Sequence, residues 1–177
     1  MIDLPIDNNI TAMDVAFYEQ KAKTNSAFIC ILKAADQLKI HPDYIYTIWK
    51  LEGGKTGAYN RNKSDGTHDI GDMQINYETW AEEFLRLGYA VNWTRVLKNQ
   101  CDNFYVGSKI IKMRLKNAKT VFTGLANYHW YATAKSNKPH YVYKKKLIPT
   151  YRAILKDKAS YIKTITVSFN TVQRDKQ

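Results

Sequence analysis

With 177 residues, 45% of them hydrophobic and 24% charged, the chain has the make-up of one globular domain, long enough to bury roughly 70% of the surface its unfolded form exposes. A net charge of +11 favours polyanionic partners such as nucleic acid, anionic lipid or acidic wall polymers. The lysines are dispersed apart from Lys144-Lys145-Lys146, and no arginine-rich arm or nucleic-acid motif accompanies them, which argues against nucleic acid; no stretch reaches the roughly 20 apolar residues of a membrane span.

The first ten residues are polar and read as a lead-in. Thr11 is placed to cap a short helix with Met13, Ala16 and Phe17 on one face, and residues 1–25 form an N-terminal segment. Ser26 opens a second helix with Phe28, Ile31, Leu32, Ala35 and Leu38 at helical spacing. His41-Pro42-Asp43 interrupts it, with Pro42 suited to the first position of a third helix. That helix carries Ile45, Ile48, Trp49 and Glu52 along one side and stops at Gly53-Gly54. Residues 55–70 are polar, and Asn62 to Gly66 read as a turn that could join a small β-hairpin with Thr67–Ile70 as its second arm. Helices follow from Tyr77 to Leu87, from Asp102 through Val106, Ile110 and Met113, and from Thr120 to Tyr128. After a loop from Ala132 to Pro139, a last amphipathic helix carries Tyr143, Leu147, Tyr151 and Ile154. Thr164 to Phe169 alternates like a short strand within a C-terminal tail, residues 156–177. The expected architecture is mainly α, a single helical domain over 26–155 with a small hairpin beside the third helix.

Glu52 is the first candidate for chemistry. Ile48 and Trp49 lie one turn before it, so its carboxyl sits against apolar side chains. Desolvation holds a proton on a carboxyl, which suits delivery to a leaving oxygen; the plain alternative is a helix-end glutamate facing water. Gly71 to Asn76 either lines a pocket through Met73 and Gln74 or is a turn with Asn76 as an N-cap. Asn127-Tyr128-His129, with Trp130 and Tyr131, is an aromatic cluster for stacking on sugars or for the core; His129 alone reads as structural. Cys30 and Cys101 lack metal-ligand spacing, and no cofactor or metal site is expected. They are either two buried thiols or one disulfide.

The order of these features, Glu52-Gly53-Gly54, then Arg61-Asn62 to Asn76, then Ala126-Asn127-Tyr128-His129, then a tyrosine in the last helix, resembles the lytic transglycosylase domain of the soluble-transglycosylase and goose-type-lysozyme group. Within it, the chain is most similar to the small specialised transglycosylases of type IV secretion, conjugation and type III secretion. The resemblance covers about Ala27 to Leu155. It implies Glu52 as the single catalytic acid and base, and Asn60 where the family often has a serine near the reacting sugar. It further implies Met73 and Gln74 as groove residues of the Gly-Leu-Met-Gln motif, Asn127 and Tyr128 beside the glutamate, and Tyr143 or Tyr141 as the last-helix tyrosine. Tyr143 is preferred because Leu147, Tyr151 and Ile154 continue its helical face. The placement of Cys30 and of Cys101, ahead of Asn103 and Gly107, implies a disulfide and an oxidising compartment such as the periplasm. The start of the chain, Met1 to Pro5, lacks the basic-then-apolar pattern of a secretory leader.

Two departures stand out. Gly53 occupies a position that is commonly serine, and Asp72 one that is commonly leucine or another neutral residue. Asp72, and more weakly Asp69, are therefore candidates for a second carboxylate or for raising the proton affinity of Glu52; the plain alternative for Asp72 is a side chain pointing away into solvent. The implied substrate is the glycan strand of peptidoglycan and the implied reaction a non-hydrolytic cut leaving a 1,6-anhydro end. A hydrolytic muramidase and a wall-binding component of a secretion machine remain as alternatives.

Overall fold

The computed structural model describes the backbone of residues 3–129 and 138–174, with side chains for residues 3–129 and 139–167. Trp130, Tyr131 and most of the expected 132–139 loop lie outside the described residues. In chain order the elements are α1 (Ala12–Ala22), α2 (Ala27–Leu38), α3 (Pro42–Glu52), β1 (Tyr59–Arg61), β2 (His68–Ile70), β3 (Ile75–Asn76), α4 (Tyr77–Arg86), α5 (Trp93–Lys98), α6 (Gln100–Lys116), α7 (Val121–His129) and α8 (Lys138–Arg174). The fold is mainly α with one small antiparallel sheet.

Several boundaries follow from local chemistry. Thr11 and Asp14 form a reciprocal capping box at the start of α1, each side chain taking the other's backbone N–H. Pro42 opens α3 behind the His41 cap, where its missing N–H costs nothing. Gly53 closes α3 in a left-handed conformation, φ 61°, and its N–H returns to the Trp49 carbonyl at 2.9 Å.

The core is built around α6. Phe104, Ile110 and Ile111 are fully buried there against Ile31 of α2, Ile48 of α3 and Leu125 of α7. Leu147 of α8 joins the same cluster. A Cys30–Cys101 disulfide ties α2 to the first turn of α6, with Cα atoms 4.7 Å apart.

The sheet runs β1-β2-β3, antiparallel throughout. Asn60 pairs with Asp69, and Asp69 with Asn76, so these three polar residues lie abreast. The expected hairpin is thus present and is extended by a third strand from the Gly71–Asn76 segment. The short helix α5 has no counterpart among the expected elements, and α6 begins two residues before Asp102.

The expected strand at Thr164–Phe169 is a correction: these residues are helical, part of α8, which runs on to Arg174. The β-branched run is overridden because α8 is anchored on both sides of residue 160. Lys158 Nζ lies 2.6 Å from Asp14 and 2.6 Å from Asp43, Lys21 pairs with Asp157, and Tyr161 packs on Phe17 at 5.7 Å.

Candidate active site

Glu52 stands at the end of α3, at the edge of a cleft of about 430 Å³ between the sheet and the α7 end. Asp69 and Asn62 line it from the sheet side, Gln74 from the turn before β3, and Tyr128 and His129 from α7. Only 13% of the Glu52 side chain is exposed. Burial is the chief reason its proton affinity is raised, to a pKa of about 7, and the negative charge of Asp69 adds to this. The Tyr143 hydroxyl opposes both. It donates to Glu52 Oε1 at 2.6 Å and favours the charged form. The result is a carboxyl that can be protonated or ionised near neutral pH, which is what a group that first gives and then takes a proton requires.

Tyr143 is itself held in place. Its ring lies flat on the His129 imidazole, centroids 4.5 Å apart and planes 6° off parallel, and burial beside Glu52 pushes its own proton affinity up. His129 Nδ1 is 3.9 Å from Glu52 Oε1. Burial lowers the pKa of His129, so the ring is neutral at pH 7, although Asp69 pulls the other way. Asp69 is half-buried. Desolvation raises its pKa, and the nearby amides of Asn62 and Asn76 and the His129 ring offset part of that.

The turn that delivers Gln74 is fastened from below by α6. Asn103 accepts from the Met73 N–H at 2.8 Å and donates to the carbonyls of Ile70 and Val96 at 3.2 and 3.1 Å. Gly71 has φ 67°, and a Cβ there would overlap the Asn103 amide. One turn later, a Cβ on Gly107 would meet the Met73 side chain at 3.0 Å. Gln74 follows with a left-handed φ of 46°, uncommon for a residue with a side chain. Its amide is fixed at both ends: Nε2 donates to the Gly71 carbonyl and Oε1 accepts from Asn60 Nδ2, each at 2.8 Å. Tyr128 closes the arrangement by donating to the Met73 carbonyl at 2.8 Å.

Of the residues singled out from the sequence, Glu52, Tyr143, Gln74, Tyr128, Asp69 and Asn60 are thus brought to one cleft or its rim. Three are not presented to it. Met73 is fully buried, so it contributes backbone contacts rather than a groove surface. Asn127 is 7% exposed on α7 and is not among the cleft-lining residues. Asp72 is 3% exposed and turned away from the cleft: Thr56 Oγ1 and Gln100 Nε2 donate to its two oxygens at 2.7 and 2.9 Å. The carboxylate that acts on Glu52 is Asp69. Tyr141, the other last-helix tyrosine, is 57% exposed.

Residues without a strong sequence signal also line the cleft. Arg114 of α6 lies over the Trp80 ring at 4.8 Å, and both face the same space. Neither belongs to a local motif. The Asn103 strut had one signal, the Asn-x-x-x-Gly spacing with Gly107 that places both residues on one face of a helix.

One grouping with metal-ligating side chains, Asp14, His41 and Asp43, occurs among the described residues. The Lys158 ammonium already sits between the two carboxylates, and the group lies toward the start of α3, at the opposite end from Glu52.

No individual curated protein matches the chain. A family model, the transglycosylase SLT domain, matches residues 29–149, from α2 into α8 and across every element that forms the cleft. That family acts on peptidoglycan, which lies outside the cytoplasm, so the activity is that of an exported protein; none of the described helices is long and apolar enough to cross a membrane. On the length of that match, the chain belongs to the transglycosylase SLT domain family and is a peptidoglycan-cleaving transglycosylase by descent.

Proposed function

We propose that the protein cuts the β-1,4 bond between N-acetylmuramic acid and N-acetylglucosamine, with Glu52 as the group that handles the proton. The observation that carries this reading is the Glu52–Tyr143 pair: a desolvated carboxyl with a pKa of about 7, hydrogen-bonded at 2.6 Å in a cleft. Protonated Glu52 donates to the glycosidic oxygen as the bond breaks. The resulting carboxylate then takes the proton of the muramyl 6-hydroxyl, whose oxygen closes on C1 to form the 1,6-anhydro ring. Atoms balance without water, and the leaving sugar departs with its 4-hydroxyl restored. Tyr143 stabilises the carboxylate between the two steps, when Glu52 has lost its proton. The neighbouring His129 stays neutral and does not compete for it.

Asp69 is the observation that favours a second reading. It lines the same cleft and its charge acts on Glu52, so an ionised Asp69 is able to orient a water molecule and give a hydrolytic product. Asp72 is consumed by Thr56 and Gln100 and takes no part in either reading. The link to a secretion or conjugation machine rests on motif resemblance and remains part of the proposal. Glu52→Gln keeps the shape of the side chain and removes the transferable proton. Loss of clearing of purified sacculi by about 10²-fold or more supports the role of Glu52, and near-normal clearing overturns it.

A further inference from the structure

Among the described residues nine large hydrophobic side chains are exposed. Four of them, Leu85, Leu87, Tyr89 and Tyr105, belong to one place, the turn after α4 and the adjoining face of α6. The turn is built rather than loose. Gly88 takes φ 76°, its N–H returns to the Leu85 carbonyl at 3.0 Å, and the Tyr89 N–H returns to the Phe84 carbonyl at 2.8 Å. The Tyr89 ring packs back on Phe84, centroids 5.7 Å apart. Phe84 is thereby buried, while Leu85, one position on, is left 78% exposed.

Lysines border this turn. On α6, Tyr105, Lys109, Lys112 and Lys116 recur at helical spacing and share one face, on the far side of the helix from Arg114, which lines the Glu52 cleft. The Lys109 ammonium lies 3.2 Å from the centre of the Tyr89 ring, and the two residues line two adjoining depressions. The larger, about 440 Å³, is lined by Lys109, Lys112 and Lys116 with Leu38, Ile40 and Met113 among its apolar walls, and by no carboxylate. In the smaller the one acid, Asp102, is held by Arg95 at 2.8 Å. Glu83, at the end of α4, is held by Arg86. None of these lysines and exposed apolar residues lines the Glu52 cleft.

We propose that this face docks on a bilayer of anionic phospholipid, with Leu85, Leu87 and Tyr89 entering the boundary between headgroups and acyl chains and Lys109, Lys112 and Lys116 meeting the phosphates. Leucines standing out of a hydrogen-bonded turn leave water only against an apolar phase, and a tyrosine ring beside an ammonium group suits the interface of such a phase. The lysines select its charge, since basic side chains are drawn to a negatively charged surface within about a Debye length. A nucleic acid would engage the lysines and leave the leucines in water; a neutral bilayer would do the reverse. The net charge of +11, which a cleft carrying Glu52, Asp65 and Asp69 does not call on, has a use here. A wall-cleaving domain docked in this way works on strands that lie against the membrane.

The purified protein is sedimented with vesicles of phosphatidylcholine alone and of phosphatidylcholine mixed with phosphatidylglycerol. Binding is expected on the anionic vesicles, weakening with added salt, and is expected to be far weaker on the neutral ones. Lys112→Gln/Lys116→Gln should weaken it about 25-fold, about fivefold for each lysine, and Leu85→Ser/Leu87→Ser about tenfold. Lys156→Gln/Lys163→Gln, on exposed positions of α8, removes the same charge elsewhere and should bind close to wild type. Melting temperatures equal to wild type show that each variant is folded. No binding to the anionic vesicles, equal binding to neutral ones, an equal loss in the α8 variant or an unaffected leucine variant overturns the proposal. So does a DNA duplex that binds as tightly and depends on the same lysines. No cleavage enters the measurement, so failure of the transglycosylase reading leaves its result standing.

Discussion

The Tyr143 hydroxyl donates to Glu52 Oε1 at 2.6 Å across 91 residues of sequence, joining the first helix of the site to the last. The pair sets how easily the Glu52 carboxyl parts with its proton. Burial and Asp69 hold the proton on, and Tyr143 draws it off. The bond therefore tunes a carboxyl whose proton is held by burial and drawn off by one hydroxyl.

Tyr143→Phe removes the one contact that favours ionised Glu52, so the glutamate pKa moves further up from about 7. Measured as a pH–rate profile on purified sacculi, the alkaline limb is expected to shift to higher pH. The rate at the optimum is expected to fall about tenfold, for a charge-assisted hydrogen bond worth about 1.5 kcal/mol. An alkaline limb that stays in place or moves down contradicts the pairing.

Glu52 also makes stability depend on pH. Its pKa is raised from 4.5 to about 7 on folding, so its contribution is fully present below about pH 4.5 and is lost as pH rises through about 7. The shift is worth about 3 kcal/mol as an order of magnitude. Glu52→Gln, which is neutral at every pH, is expected to raise the melting temperature at pH 8 and to change it little at pH 4. A variant equally stable with wild type at both values speaks against a desolvated carboxyl.

Asn103→Ala strips partners from the Met73 N–H and the Ile70 and Val96 carbonyls beneath the Gln74 turn. Buried groups left this way cost about 3 kcal/mol in total. Denaturant unfolding should report that loss, and activity should fall further than stability at temperatures where the variant is folded. Retained activity with lost stability would show that the turn does not need its strut.

At the far end of α3, Lys158 bridges Asp14 and Asp43. Burial raises the Asp14 pKa, but the Lys158 and Thr11 contacts outweigh it and bring it to about 2. Its stabilisation is therefore present above the ordinary value of 3.8 and is lost as pH falls through about 2. Lys158→Ala leaves two buried carboxylates without their cation and should cost about 3 kcal/mol at pH 7, with a much smaller penalty near pH 2. A pH-independent penalty would assign Lys158 a packing role alone.

The helix that ends at Glu52 was readable in the sequence because each of its signals is local. Pro42 starts it, the Ile45–Ile48–Trp49 stripe gives its buried face, and Gly53 ends it in the left-handed region. Gln74 and Tyr143 were legible through motif order and helical spacing. What sequence left open depended on partners distant along the chain. Asp72 and Asp69 are three residues apart and chemically alike, yet Asp72 is captured by Thr56 and Gln100, while strand pairing holds Asp69 beside Asn60 and Asn76 at the cleft. Met73 looked like a groove residue, but Gly107 on α6 makes room for it inside. The helical end of α8 was hidden for the same reason. Thr164 to Val167 have strand-like side chains, and the contacts of Lys158 and Tyr161 with α1 and α3 outweigh that preference.

Mass analysis of the fragments released from purified peptidoglycan decides whether Glu52 drives a non-hydrolytic cut, since anhydro and reducing ends differ by one water. The wild-type protein is expected to release 1,6-anhydromuramyl ends, and Glu52→Gln essentially no fragments. Reducing ends from the wild type, or anhydro ends undiminished in Glu52→Gln, would contradict this.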